Sequence, residues 1–238
     1  MYKNFKVISI IGARSGSISI KHKNVKKLNN RPLLYWIIKT ALKSKYLDRV
    51  LVSTNSVYYQ KLSIKYGAET PFLRPKKISR SKSREIDYIL HTLDWLKKNE
   101  DYTPDIIVRL QPTSPFQCAK DIDKSIMKLA DDKKATSAQV VAESDFHPYK
   151  ALKISRSGYL KPFITKNNNV INRQNLVKSY HRANIISTKS KFFLKNKKDH
   201  IGNFSIKIEI PTLRAIDINN KKDFKIADCI NKIYKFLK

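Results

Sequence analysis

An α/β fold built on a parallel sheet is predicted for this chain by three observations. Short apolar, β-branched runs recur at Val7–Ile11, Arg49–Val52 and Ile106–Leu110. Helix-period stretches separate them, at residues 33–44, 57–66 and 86–96. Each run ends in small polar residues or prolines, the composition of loops at strand ends. Alternation of this kind makes βαβ units, and a parallel sheet collects ligand sites at the carboxyl ends of its strands.

Val7 to Ile11 is too short for an independent helix and rich in Ile and Val, so it reads as a buried strand. It opens into Gly12-Ala13-Arg14-Ser15-Gly16-Ser17, followed by Lys21, Lys23 and Asn24. A small-residue loop after a buried strand lets backbone N–H groups approach an anion, and Arg14, Lys21 and Lys23 add fixed charge. The outline is a phosphate cradle. It lacks the Gly-Lys-Ser/Thr ending of a P-loop and the third glycine of a dinucleotide fingerprint. On these residues alone, a strand followed by a basic turn stays open.

Asn29–Pro32 is a turn, with proline just inside the next helix, whose apolar positions are Leu34, Ile37, Ile38, Ala41 and Leu42. Arg49–Thr54 is the second strand, and Val57–Tyr66 a second helix closed by Gly67. Pro71–Pro75 is rigid and extended and carries Arg74, for which a plain surface role stays open. The basic turn Ser79–Glu85 precedes a long helix with the stripe Ile86, Ile89, Leu90, Leu93 and Leu96; nucleotide contact and a solvated turn are both open for it. Asp105–Leu110 is a central strand that ends in Gln111-Pro112-Thr113-Ser114-Pro115-Phe116. Two prolines fix that loop, and a glutamine amide there both donates and accepts hydrogen bonds. A helix over Asp121–Asp132 and a strand over Ala135–Val141 follow. Glu143–Asn184 is irregular and reads as an insertion, Ile185–Thr188 as a return strand. The last helix carries Phe224, Ala227, Ile230, Ile233, Tyr234 and Leu237 on its apolar side.

A chain of 238 residues with 41% hydrophobic content buries one α/β core and a small lobe. The formal charge of +30 admits three readings: nucleic-acid binding, steering of anionic substrates, or a bias spread over the whole chain. The lysines are dispersed rather than interleaved with aromatics, which makes nucleic acid the least favoured partner. Cys118 and Cys229 have no metal-like spacing and read as idle thiols of a reducing, cytoplasmic compartment. No apolar stretch reaches the ~18 residues of a membrane span, so no membrane partner is expected. Residues 5–13 read as the first strand, not an export signal. Neither a nucleophile–His–acid set nor a cysteine site stands out, which disfavours covalent catalysis.

Ala13-Arg14-Ser15-Gly16-Ser17 with Lys23-Asn24 resembles the opening motif of the cytidylyltransferases that activate sialic acid (acylneuraminate) and related nonulosonic acids. Gln111-Pro112-Thr113-Ser114-Pro115 matches that family's second motif in full. Leu73-Arg74-Pro75, His147-Pro148-Tyr149-Lys150, Arg173-Gln174 and Asp217-Ile218-Asn219 follow in the family's order. Ile18 and Ser19 stand where the family has Lys-Gly, Asn219 replaces the second acid, and Tyr180–Asn184 fits only loosely.

The resemblance implies a Rossmann-like nucleotidyltransferase core, GT-A-like and three-layered, over residues 1–140 and 185–238. An inserted dimerisation arm would occupy residues 141–184 and make a homodimer. It implies attack of a nonulosonic acid's anomeric hydroxyl on the α-phosphate of CTP, giving CMP-sugar and pyrophosphate. Nucleotide binding falls to Ala13, Arg14, Ser17, Lys21, Lys23, Asn24 and Arg74, with Arg14 and Lys23 on the triphosphate. Gln111, Lys150 and Arg173 fall to the sugar, and Asp217 and Asn219 to Mg²⁺. Arg14, Lys23, Gln111 and Asp217 form the catalytic set. Lys21 is expected to replace the missing lysine; a weakened, ligand-binding relative is the alternative. Sialic, legionaminic and pseudaminic acids share the α-keto acid head, so these motifs leave the sugar open.

Overall fold

The computed structural model describes residues 2–164 and 176–237. Its first unit is β1 (Val7–Gly12), the two-residue strands β2 (Lys27–Leu28) and β3 (Arg31–Pro32), and α1 (Leu33–Leu42). β4 (Arg49–Ser53), α2 (Val57–Lys65) and α3 (Glu85–Glu100) follow. Gly67, at φ +99°, ends the turn after α2, a conformation that favours glycine. β5 (Ile106–Leu110), α4 (Ala119–Asp131) and β6 (Ser137–Glu143) complete the first half of the sheet. The hairpin β7 (Leu152–Ile154) and β8 (Leu160–Pro162) lies in the insertion. β9 (Tyr180–Lys189), α5 (Ser190–Lys195), β10 (Ser205–Glu209) and α6 (Lys221–Tyr234) close the chain.

The main sheet has the order β10-β6-β9-β5-β1-β4, and only β9 runs antiparallel to its neighbours. β1 is flanked by β4 and β5, both parallel to it, so the chain leaves β1 towards one side and later returns to the other. That reversal opens a crevice at the carboxyl ends of these strands. Residues of β1 alternate between the two faces. Val7 and Ile11 pack with Leu34, Ile37 and Ile38 of α1 and Ile122, Ile126 and Leu129 of α4. Ile8 and Ile10 pack with Ile86, Ile89, Leu93 and Leu96 of α3 and Phe193 of α5. Helices therefore cover both faces, giving three layers. Each such aliphatic side chain, fully buried, stabilises by about 1.5–3 kcal/mol against exposure.

Three departures from the sequence pattern have physical causes. β9 begins at Tyr180, ahead of the expected return strand, because Tyr180 and His181 still pair with Glu143 and Ala142. β10 was not foreseen; it is an edge strand on β6. The stripe of α6 stops early, leaving Ile233 71% exposed and Tyr234 exposed. The chain turns at Lys235 (φ 50°), and Leu237 folds back, its N–H donating to Asn231 Oδ1 at 2.8 Å.

Candidate functional site

A cleft of about 370 Å³ lies at the carboxyl end of the sheet. One wall is the loop after β1, through Arg14, Ser17, Ile18, Ser19, Lys23 and Asn24. The other carries Arg74, Arg80, Ser83, Arg84, Glu85 and Tyr88. Gln111, Pro112 and Thr113 form part of its lining, with Asn219.

The opening loop is pinned by its own polar groups. Arg14 Nη1 donates to Gly16 O at 2.6 Å, and Asn24 Nδ2 donates to Arg14 O at 3.0 Å. Asn55 at the end of β4 accepts from the Ser15 N–H at 2.9 Å. Ala13 is fully buried, and its N–H donates to Ser53 O at 3.0 Å, so it holds the loop rather than lining the cleft. Gly12 is required at the strand end: a Cβ there would sit 2.7 Å from the Tyr88 ring.

Arg74 is 5% exposed; its Nε donates to Ser53 Oγ at 3.0 Å, and Nη2 donates to Ser53 O. Its guanidinium stacks 4.5 Å above the Tyr88 ring. Burial lowers its pKa to about 10, with Arg14 pushing the same way and Tyr88 opposing. Tyr88 is itself pushed up to about 12 by burial.

Lys23 Nζ donates to Ile218 O at 2.8 Å, bringing the opening loop against the Asp217-Ile218-Asn219 segment. Burial lowers the Lys23 pKa, and the Asp217 carboxylate pulls it partway back. Ile218 N–H donates to Thr113 O at 2.9 Å, so the same segment is tied to the loop after β5. Asn184 Nδ2, on β9, steadies that loop through Ser114 Oγ at 2.9 Å. Three motifs far apart in sequence thus meet at one cleft.

Asp217 and Asn219 lie in the irregular stretch before α6, not in a strand, and touch, Asn219 Nδ2 donating to Asp217 Oδ2 at 2.9 Å. Asp217 Oδ1 is buried with no hydrogen-bond partner, although a buried carboxylate oxygen ordinarily has one. An orphaned hard oxygen beside a second oxygen-bearing side chain fits Mg²⁺, which takes one or two protein oxygens and completes its shell with phosphate and water. Among the described residues no cluster of three or more His, Cys, Asp or Glu offers a closed metal cage.

Not every expected residue reaches this cleft. Lys21 is exposed and absent from its lining, and Asp217, half-buried, is absent from it too, meeting the cleft only through its contact with Asn219. Lys150 lines a smaller cleft with Glu143, His147 and Lys178. Arg173 lies outside the described residues. Conversely, Arg80, Ser83 and Arg84 of the basic turn line the main cleft, while Ser81 and Lys82 of the same turn are exposed and do not. Glu85, Tyr88 and Arg109 were not singled out, because a charge within an apolar strand and a tyrosine within a helix stripe carry no local signal.

A reversed-strand α/β crevice with convergent cations and a carboxylate–amide pair defines a nucleotide-binding class of protein. The family model described as Cytidylyltransferase matches residues 8–236, and the chain belongs to that family. It is 28% identical over 227 residues to the N-acylneuraminate cytidylyltransferase of Escherichia coli O18:K1:H7, covering 95% of this chain and 52% of that protein. This chain therefore spans about half the length of that relative. It is also 28% identical over 244 residues to the pseudaminic acid cytidylyltransferase of Campylobacter jejuni, covering 96% of this chain and 97% of that one. The fold is similar to that of CMP:2-keto-3-deoxy-manno-octonic acid synthetase complexed with CTP: TM-score 0.70, 12% identity, 98% of this chain and 100% of that one covered.

Proposed function

We propose that the chain transfers CMP from CTP to a nonulosonic acid, releasing pyrophosphate. The observation that carries this is the convergence of Arg14, Lys23, Asn24, Arg74 and Gln111 on one basic cleft in a chain whose family match spans 8–236. The anomeric hydroxyl attacks the α-phosphorus, the P–O bond to the β-phosphate breaks, and the hydroxyl proton leaves to solvent or a basic group. Such transfer depends on positioning and charge neutralisation more than on a protein nucleophile. Arg14 and Lys23 supply charge to the triphosphate. Asn24 holds the loop through Arg14 O, and Arg74, in the wall opposite the opening loop, serves the nucleoside. Gln111 faces the acceptor acid. Asp217 and Asn219 would hold Mg²⁺, whose chemistry when bound is to neutralise phosphate charge and acidify a nearby hydroxyl.

Lys150 and Arg173, on the insertion, are proposed to meet the acid's carboxylate from a second copy of the chain, in a homodimer. A guanidinium fork suits that carboxylate. Purified protein given CTP, Mg²⁺ and a panel of sialic, legionaminic and pseudaminic acids is expected to release pyrophosphate with at least one of them. Release with ATP at an equal rate, or with none of the acids, would overturn the proposal.

A further inference from the structure

Glu85, the first residue of α3, lies between the cleft and the sheet interior. Its Oε1 accepts from Gln111 Nε2, and its Oε2 lies 3.5 Å from Arg109 Nε. Arg109 is 4% exposed, and its Nε and Nη1 have no hydrogen-bond partner. A buried guanidinium demands a nearby anion, and Glu85 is the carboxylate that faces it. His200 also approaches, Nε2 lying 4.0 Å from Glu85 Oε2, and burial lowers its pKa, so Arg109 is the principal cation of the cluster.

A glutamine amide has two faces, one donating and one accepting, and nothing in its shape chooses between them. A carboxylate only accepts. The Gln111 nitrogen must therefore face Glu85, and the carbonyl Oε1 is left towards Thr113, whose Oγ1 lies 3.5 Å away, and towards the cleft. We propose that Glu85, held by Arg109, is a positioning residue that fixes Gln111 as a hydrogen-bond acceptor. The cleft then selects an acid that offers a hydroxyl or acylamino N–H at that point and disfavours one offering only an ether, ester or keto oxygen. A site committed to one partner rejects an analogue that leaves its buried group unpaired far better than an adaptable one does. This inference rests on the proposed reaction for its substrate and on geometry alone for the amide orientation.

The test is Glu85→Gln, whose own amide can present either face, beside Glu85→Asp and the exchange Glu85→Gln with Gln111→Glu. In Glu85→Gln the KM for the acid is expected to rise about tenfold while the KM for CTP stays within about twofold, a split that general loosening would not produce. Gln111→Glu alone, with two carboxylates face to face, is expected to lose about tenfold or more in kcat/KM. The exchange variant should recover most of that loss. Thermal melts of each variant identify any that fail to fold. Independently of activity, the Gln111 side-chain amide resonances, assigned by their disappearance in Gln111→Leu, should shift in Glu85→Gln. An unshifted amide signal, or an unchanged KM for the acid in an active enzyme, would overturn the positioning role. A wild-type protein inactive with every acid but showing the shifted signal would instead overturn the reaction and leave the amide orientation standing.

Discussion

Asp217 carries a sharp consequence at the scale of single residues. Its Oδ1 has no protein partner, so Asp217→Asn removes little that stabilises the fold, and a change within about 0.5 kcal/mol is expected. On the proposed Mg²⁺ role, turnover should nevertheless fall about a hundredfold or more, because the charge that would hold the cation is gone. Circular-dichroism melts and pyrophosphate release from the same preparation check both halves; normal turnover would remove Asp217 from the site. Lys23 adds a pH signature. Burial holds its pKa below the ordinary lysine value, so its charge is lost as pH rises through that lowered value, and CTP binding should weaken there. Lys23→Arg, charged throughout, should move that alkaline limb upward, as read from the CTP KM against pH. The stability sign is opposite. Between the lowered folded value and the unfolded one the unfolded chain binds more protons at this site, so its contribution makes the fold more stable as pH rises across that window. Asp217 raises the Lys23 value, so Asp217→Asn should shift the limb to lower pH.

At the scale of elements, the junction of β1 with its loop is the most constrained point of the cleft. Gly12→Ala places a methyl against the Tyr88 ring, on which Arg74 stacks. Overpacking of this kind costs about 1–3 kcal/mol, and CTP affinity should drop with it, since the ring cannot move without moving Arg74. Denaturant titration and calorimetry check it, and an unchanged pair of values would show that the ring has room. The loop itself makes one expectation testable. Lys21 lies outside the cleft lining, so Lys21→Ala should leave the CTP KM within about twofold, whereas Ile18, 81% exposed on the cleft wall, is where added charge would act. Ile18→Lys with Ser19→Gly should lower the CTP KM about threefold or more; no change would mean that Arg80 and Arg84 on the facing wall already supply the charge. The loop after β5 was legible in the sequence because its prolines and polar residues are adjacent. The strands β1, β4 and β5 were legible because continuous apolar runs mark strands buried on both faces. Arg109 with Glu85 was not, since a pairing across the fold leaves no local period. β10 was overlooked although Ile206 and Ile208 alternate with Ser205, Lys207 and Glu209, a five-residue signal on an edge strand easily lost among lysines.

For the whole molecule, two features extend beyond the cleft. The net charge of +30 predicts some attraction to any polyanion, but no basic–aromatic platform was found in the sequence. Gel shifts with duplex DNA and RNA at near-physiological salt are therefore expected to show micromolar or weaker binding; tight, sequence-dependent binding would favour a nucleic-acid role instead. The second feature is the hairpin β7–β8. Leu152, Ile154, Tyr159 and Leu160 are all exposed on it, and Phe146 nearby is 90% exposed. Apolar side chains gathered on an arm remote from the core are a surface that a second copy can cover. Lys150 lies just before β7, so a dimer that covered this hairpin, as proposed, would also govern where Lys150 can reach. Ile154→Lys with Leu160→Lys places two like charges in that contact without touching the core or the main cleft, so the monomer should fold with an unchanged melting profile. Light scattering is expected to give a dimer for the wild type and a monomer for the variant. CTP binding should survive in the monomer, because the residues proposed to bind it lie within one chain, while transfer to the acid should fall about tenfold or more, because Lys150 would lose its proposed station. A wild-type protein that is monomeric and turns over normally would separate the arm from the reaction and leave the acid's carboxylate to be bound by residues of the main cleft.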